Sequence, residues 1–226
     1  MDRILSKSLV LIPQDKKIIT FFSFGEMSGG LYKKDLQDSN YFTDNRDYGF
    51  IKLFESTHRL FVKSAIENPD IQFYIKPKIN MNVHVGQKWI EEIDRIIKLE
   101  TGKTIDQISN LEYTDNEAVS LIQKSILVIG FNSTVILESL AMGQSTLIPH
   151  FAEVTKYPKN VLFMNFKNLL YLSKSEEQFY LDISRAIHDN KAFKLNNNQE
   201  LSEILKYYFG YDDGKCADRV LELINS

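Results

Sequence analysis

The stretch SILVIGFNSTVILESLAMGQSTLIPHF, Ser125 to Phe151, constrains this chain more than any other. Ile126 to Ile129 is a short, β-branched apolar run ending at Gly130, the pattern of a strand buried on both faces of a parallel sheet. Asn132, Ser133 and Thr134 follow as three consecutive side chains of the helix-capping type. Val135, Ile136, Leu137, Leu140 and Ala141 form the buried side of a helix that stops at Gly143. Ser145 to Pro149 is apolar again and returns to the sheet. Strand, polar turn, helix and strand make one βαβ unit, with a helix N-terminus at the mouth of the turn.

The first N–H groups of a helix lack intrahelical partners and carry partial positive charge, which suits phosphate. Ser133 and Thr134 offer hydroxyl donors to the same anion. Glu138, the one ionisable residue of this helix, lies four residues past Thr134 and about 40° round the axis from it. A carboxylate there suits a ribose diol while the helix end holds a diphosphate. The same pattern also describes a capped core helix whose single glutamate faces solvent.

The rest of the chain repeats the alternation of strand and helix. KIITFFSF, Lys17 to Phe24, reads as the first buried strand, and Gly25 opens the polar turn GEMSGG at its C-terminal end. In open parallel sheets ligands bind outside those ends. This turn matches neither the dinucleotide nor the P-loop glycine pattern; it is either a second ligand loop or a plain turn. Residues 31–48 read as a long loop. Gly49 to Ile66 is helical in pattern, with His58 expected at the surface or half buried. Ile71 to Ile75 is the second strand, and Lys76, Pro77 and Lys78 follow it at once. Two lysines at that position serve phosphate or simply solvated charge, and Lys76 is the stronger candidate of the pair. His84 is a weak candidate for substrate contact.

Trp89 to Leu99 is an amphipathic helix and Ile108 to Tyr113 a third strand. Asn116 to Lys124 is a short helix, with Thr114 as its cap and Glu117 as the capping-box partner. His150, in the turn after Pro149, is another candidate for ligand contact. Val161 to Phe166 reads as a further short strand, and Glu176 to His188 and Glu200 to Tyr208 as helices. A final amphipathic helix, Ala217 to Ile224, follows a turn at Gly210 to Gly214. The expected fold is α/β: a doubly wound, mostly parallel, Rossmann-like sheet of about six strands. Residues 1–16 are an N-terminal arm or linker and residues 17–226 one domain, a length that suits a single large α/β unit.

FNSTVILESLAMGQSTLIP resembles the nucleotide-sugar-binding segment in the C-terminal domain of GT-B glycosyltransferases, especially those of bacterial capsule and surface polysaccharide biosynthesis. FYIKPK, at the end of the second strand, and the closing YYFGYDDGKCADRVLELI resemble the same proteins. The resemblance covers nearly the whole chain and only one half of such an enzyme. It implies that Ser133 and Thr134 receive the donor pyrophosphate, Glu138 binds the ribose, and Asn132, Lys76, Lys78, Gly25 and His150 lie close to the donor. The donor is a nucleotide-activated sugar, with no separate cofactor and no metal. The acceptor, a glycan or lipid-linked chain, and the general base belong in this family to the N-terminal half. No residue here has a good claim to be that base, so no catalytic residue is assigned, and transfer would need a partner polypeptide, a homodimer mate or a further domain. A sugar-nucleotide 2-epimerase, a transferase of polyol phosphate from a CDP-linked donor, and a non-catalytic scaffold remain alternatives.

Composition removes other classes. A net charge of −3 gives no electrostatic case for nucleic acid. The single cysteine, Cys216, excludes an internal disulfide and a cysteine metal cluster. Asp212 and Asp213, without a third ligand in the turn, read as turn residues rather than a metal pair. The apolar run Ser8 to Pro13 falls well short of the ~20 residues that span a bilayer and lacks a secretory signal's pattern. The expected location is the cytoplasm, at most peripheral at the inner face of a membrane. A receiver-type signalling domain is discounted, since no acidic cluster follows the first strand.

Overall fold

The computed structural model describes residues 16–25, 49–78, 84–156, 161–195, 198–210 and 215. The N-terminal arm, the GEMSGG turn beyond Gly25, the loop 31–48, the Asp212–Asp213 turn, Cys216, the closing helix and the His84 side chain lie outside the described residues.

Six strands form one sheet: β1 (Ile18–Phe22), β2 (Gln72–Lys76), β3 (Leu111–Tyr113), β4 (Ser125–Gly130), β5 (Thr146–Pro149) and β6 (Leu172–Ser173). Their order is β3-β2-β1-β4-β5-β6, and every neighbouring pair is parallel. This is the Rossmann order. β1 lies at the centre because all five of its residues are apolar or neutral and all are buried. β4 beside it is buried at five of six positions, as expected for a strand covered on both faces.

Helices α1 (Ile51–Glu67), α2 (His84–Thr101) and α5 (Glu176–His188) pack together on one face. Phe61 of α1 meets Phe21 and Phe73 there. The short helices α3 (Ala118–Lys124) and α4 (Val135–Ala141) pack on each other, and α6 (Asn198–Phe209) packs on α4. The core is rich in phenylalanine, with Phe21, Phe24, Phe50, Phe54, Phe61, Phe73, Phe131 and Phe179 all fully buried.

Three expectations are corrected. Val161 to Phe166 is not a strand: Phe163 adopts a left-handed backbone (φ 69°) and Met164–Phe166 closes into a 3-10 turn. A left-handed residue in mid-run breaks the pleat that a strand requires, and the sixth strand is the two-residue β6 instead. The capping box at Thr114 does not form. Glu117 occupies the N-cap of α3 without a side-chain bond, while the Thr114 hydroxyl accepts from the Asn116 N–H at 3.2 Å and tightens the turn out of β3. His58 is not at the surface but fully buried, because Ser23 and Phe54 satisfy both of its ring nitrogens.

Helix α5 is capped locally: Ser175 accepts from the Gln178 N–H at 3.0 Å, and Glu176 and Glu177 complement the dipole. Helix α1 has no cap of its own. Its cap comes from the turn after β5, where the Glu153 carboxylate accepts from the Lys52 N–H at 2.7 Å and the Leu53 N–H at 2.9 Å. Glu153→Ala is expected to cost about 1–2 kcal/mol, the worth of a charged cap at a helix start. Urea denaturation measures this, and a midpoint equal to that of wild type would refute it.

Candidate functional site

The order of the sheet creates the site. Helix α1 leaves β1 on one face and α4 leaves β4 on the other, so β1 and β4 bound the topological switch point. Phe22 lies beside Gly130 in the register, and the chain leaves both strands at the same edge. Phe131 then packs on Phe24 and Phe50, with ring centroids 4.8 and 4.9 Å apart. These buried rings pack between Gly25 on one side and Asn132 to Thr134 on the other, where an open parallel sheet forms its ligand crevice.

Lys76 ends β2 next to this point, and its carbonyl accepts from the Ser23 N–H at 2.9 Å. His150 follows β5 on the other side, its N–H donating to the Ser173 carbonyl at 2.7 Å. The sheet thus brings Lys76, Gly25, Asn132, Ser133, Thr134 and His150 to one edge. Three interstrand spacings separate the strands carrying Lys76 and His150, or about 14 Å. Lys78 reaches the same edge but is exposed beyond Pro77.

Gly130 is required where β4 turns into α4. A Cβ there would lie 3.2 Å from Cγ1 of Val135 and 3.2 Å from Cγ1 of Ile136. A Gly130→Val variant is expected to displace the first turn of α4 and lose about 1–3 kcal/mol, as overpacking does. Thermal denaturation reads the loss; an unchanged melting temperature would show that the turn yields freely.

The three polar residues after Gly130 do different things. Asn132 takes a left-handed backbone (φ 47°), a conformation asparagine tolerates better than most residues. Its side-chain oxygen accepts from the Leu162 N–H at 2.9 Å, which ties the β4 turn to the segment after β5. Asn132 therefore holds the crevice wall in shape. Ser133 is half buried, and its hydroxyl accepts from the Val135 N–H over a long 3.4 Å. Thr134 is exposed and already helical in backbone (φ −61°, ψ −20°), and it caps nothing with its side chain. Its hydroxyl instead faces Glu138, 3.4 Å away, so the two lie on one face of the helix. At its far end α4 closes as expected, with Gly143 left-handed (φ 66°) and its N–H on the Leu140 carbonyl at 2.9 Å.

Charge at the edge is modest and partly desolvated. Burial pushes the Lys76 ammonium below its ordinary value, and the exposed Asp115 carboxylate opposes that. Among the described residues Lys76 makes no ion pair within 4 Å. Burial also pushes His150 down; a hydrogen bond to its own backbone opposes the shift, and Lys174 and Lys167 reinforce it. The His150 Nε2 is buried and has no hydrogen-bond partner among the described residues. An unpaired buried acceptor is costly and suits an incoming hydroxyl.

Two site-building residues escape sequence reasoning. Glu153 acts on amides a hundred positions away, and no local pattern announces such a bond. Ser23 had a signal, since it is the first residue past β1 at the switch point. No group of three His, Cys, Asp or Glu among the described residues is disposed to hold a metal. None of the described helices is long and apolar enough to cross a membrane.

No protein-family profile matches the sequence. No curated protein matches it either. Solved structures do resemble it in fold. The wall teichoic acid polymerase TagF superposes with a TM-score of 0.53 at 12% identity, over 95% of this chain and 44% of that one. A UDP-GlcNAc 2-epimerase from Neisseria meningitidis gives 0.48 at 13% identity, over 88% and 46%. An α,α-trehalose-phosphate synthase from Burkholderia vietnamiensis gives 0.49 at 13% identity, over 93% and 45%. The chain spans less than half the length of each. At 12% identity the likeness to TagF speaks for fold alone: a Rossmann-like α/β domain consistent with one half of a GT-B fold.

Proposed function

We propose that this chain is the donor-binding half of a metal-independent GT-B-type glycosyltransferase of capsule or surface polysaccharide biosynthesis, and that it holds a nucleotide-activated sugar. The carrying observation is the convergence of Lys76, Gly25, Ser133, Thr134 and His150 on the switch point of the sheet. The two helix starts beside that point also differ. The start of α1 is filled by the Glu153 carboxylate, whereas Thr134 at the N-cap of α4 makes no side-chain cap bond and the Ser133 and Thr134 hydroxyls make only long bonds of 3.4 Å. The donor diphosphate lies over Ser133 and Thr134, with the Lys76 ammonium opposing the charge that builds on the leaving phosphate. Glu138 accepts from the ribose hydroxyls, and the bare His150 Nε2 accepts from a further hydroxyl. The fold shared with a wall teichoic acid polymerase is in keeping with cell-surface polymer chemistry. The general base and the glycan or lipid-linked acceptor come from a partner half or a second copy. In this reading the protein works in the cytoplasm, at most peripherally at the inner membrane face.

Calorimetry and thermal shift with UDP, CDP, GDP, CMP and ADP test the reading. A ligand at 100 times its Kd should add about 2.7 kcal/mol of stability. One nucleotide is expected to bind, and Ser133→Ala and Glu138→Ala are both expected to weaken it. A folded protein that binds none of the five would refute the donor site and favour a scaffold. Product analysis with the donor that binds separates sugar transfer from 2-epimerisation and from polyol phosphate transfer.

A further inference from the structure

We infer that His58 and Trp89 are positioning residues that clamp the carboxyl end of β1 in place beside the crevice, acting through the Ser23 hydroxyl and the Phe24 carbonyl. The clamp can be built atom by atom. His58 Nδ1 lies 2.7 Å from the Phe54 carbonyl, which can only accept, so Nδ1 carries the proton. The ring sits among Phe21, Phe24, Phe54 and Trp89, with centroids between 4.2 and 6.2 Å away and no carboxylate among these neighbours. It is therefore neutral, and its Nε2 is a bare acceptor. The Ser23 hydroxyl, 2.7 Å from Nε2, must donate to it.

One residue further on, Trp89 of α2 donates Nε1–H to the Phe24 carbonyl at 3.1 Å. Two helices thus each supply one side-chain partner to the last two residues before Gly25, an acceptor for Ser23 and a donor for Phe24. The Ser23 N–H adds a third tie, to Lys76. A strand end held at three points cannot swing. Side chains of α1 and α2 thus hold the two residues that follow β1. The Ser23–Lys76 bond also keeps the end of β1 in register with the end of β2.

The clamp's bearing on ligand affinity rests on the donor-site reading above, while the clamp itself is measured without any ligand. Hydrogen exchange at residues 23–25 is compared in wild type, Ser23→Ala, Ser23→Thr and Trp89→Phe, with β4 as internal control. Ser23→Ala and Trp89→Phe are each expected to speed exchange about tenfold at 23–25, the worth of one hydrogen bond, and to leave β4 unchanged. Ser23→Thr, which keeps the hydroxyl, is expected to behave as wild type. Nitrogen-15 spectra of the histidines should show the His58 proton on Nδ1. Exchange unaltered in Ser23→Ala, or a proton on Nε2, overturns the clamp. In parallel, UDP and CDP affinities are expected to fall about three- to tenfold in Ser23→Ala and to be retained in Ser23→Thr. Wild-type protein that binds neither nucleotide counts against the donor site, and the exchange result still decides the clamp.

Discussion

Between pH 7 and pH 4 this protein is expected to lose roughly 3 kcal/mol of stability through one side chain. Burial pushes His58 from 6.5 down to about 3, and its bond to the Phe54 carbonyl only partly opposes the shift. The unfolded chain takes up a proton on this ring as the pH falls through 6.5, and the native ring refuses it until about 3. Within that window the unfolded state holds more protons, so stability rises with pH and is lost as the pH drops. Burial holds the carboxyls of Asp94 and Asp182 above their ordinary range, which works in the opposite sense at the acid end. A His58→Phe variant isolates the histidine. Its absolute stability will differ, since the Ser23 hydroxyl loses its acceptor, but its urea midpoint is expected to vary far less between pH 6.5 and pH 4. Parallel pH profiles for the two proteins would show that the ring is not held neutral.

Glu138→Ala is expected to cause the largest loss of nucleotide affinity of any single substitution at the crevice, about 10- to 150-fold. That range corresponds to the 1.5–3 kcal/mol carried by hydrogen bonds to a charged group. Stability should hardly change, because Glu138 is half buried and its hydrogen bond from Thr134, the one it makes among the described residues, is long. Loss of affinity without loss of stability separates a ligand role from a solvent-facing helix residue. Glu138→Gln, which keeps one acceptor, should fall between. Equal affinity in wild type and Glu138→Ala would remove the ribose contact from the proposal while leaving the diphosphate contacts to Ser133 and Lys76 open to measurement.

What could be read in advance follows from where the information lies. SILVIG announced a central strand because burial on both faces leaves an unbroken apolar run. Lys76 and His150 were placed at strand ends by the apolar runs before them, and the parallel order of the sheet then put them on one edge. The run Val161 to Phe166 misled for the same reason that SILVIG did not. Val161 and Phe163 are buried there by a 3-10 turn around a left-handed Phe163 while Leu162 is exposed, and composition does not separate the two cases. The true sixth strand, Leu172–Ser173, is too short to carry a period. His58 was misplaced because the polar atoms that make its burial tolerable sit on Ser23 and Phe54, and only one of these is near it in sequence. The turn Asn132 to Thr134 was found, but its division of labour was not. That Asn132 spends its oxygen on Leu162 depends on a segment thirty residues away.

The Glu153 carboxylate on the first turn of α1 also has a consequence for how the chain assembles. α1 is the first helix among the described residues, yet no side-chain cap and no first-turn acidic residue comes with it. The group that completes its start is made a hundred residues later, after β5. Closing so long a loop for one cap is entropically slow, and contacts of this range delay folding. A nascent chain that ends before Glu153 therefore carries an α1 with a frayed first turn. The helix start that follows β1 is therefore completed only once the turn after β5 has docked against it, which couples one wall of the switch point to the far half of the sheet.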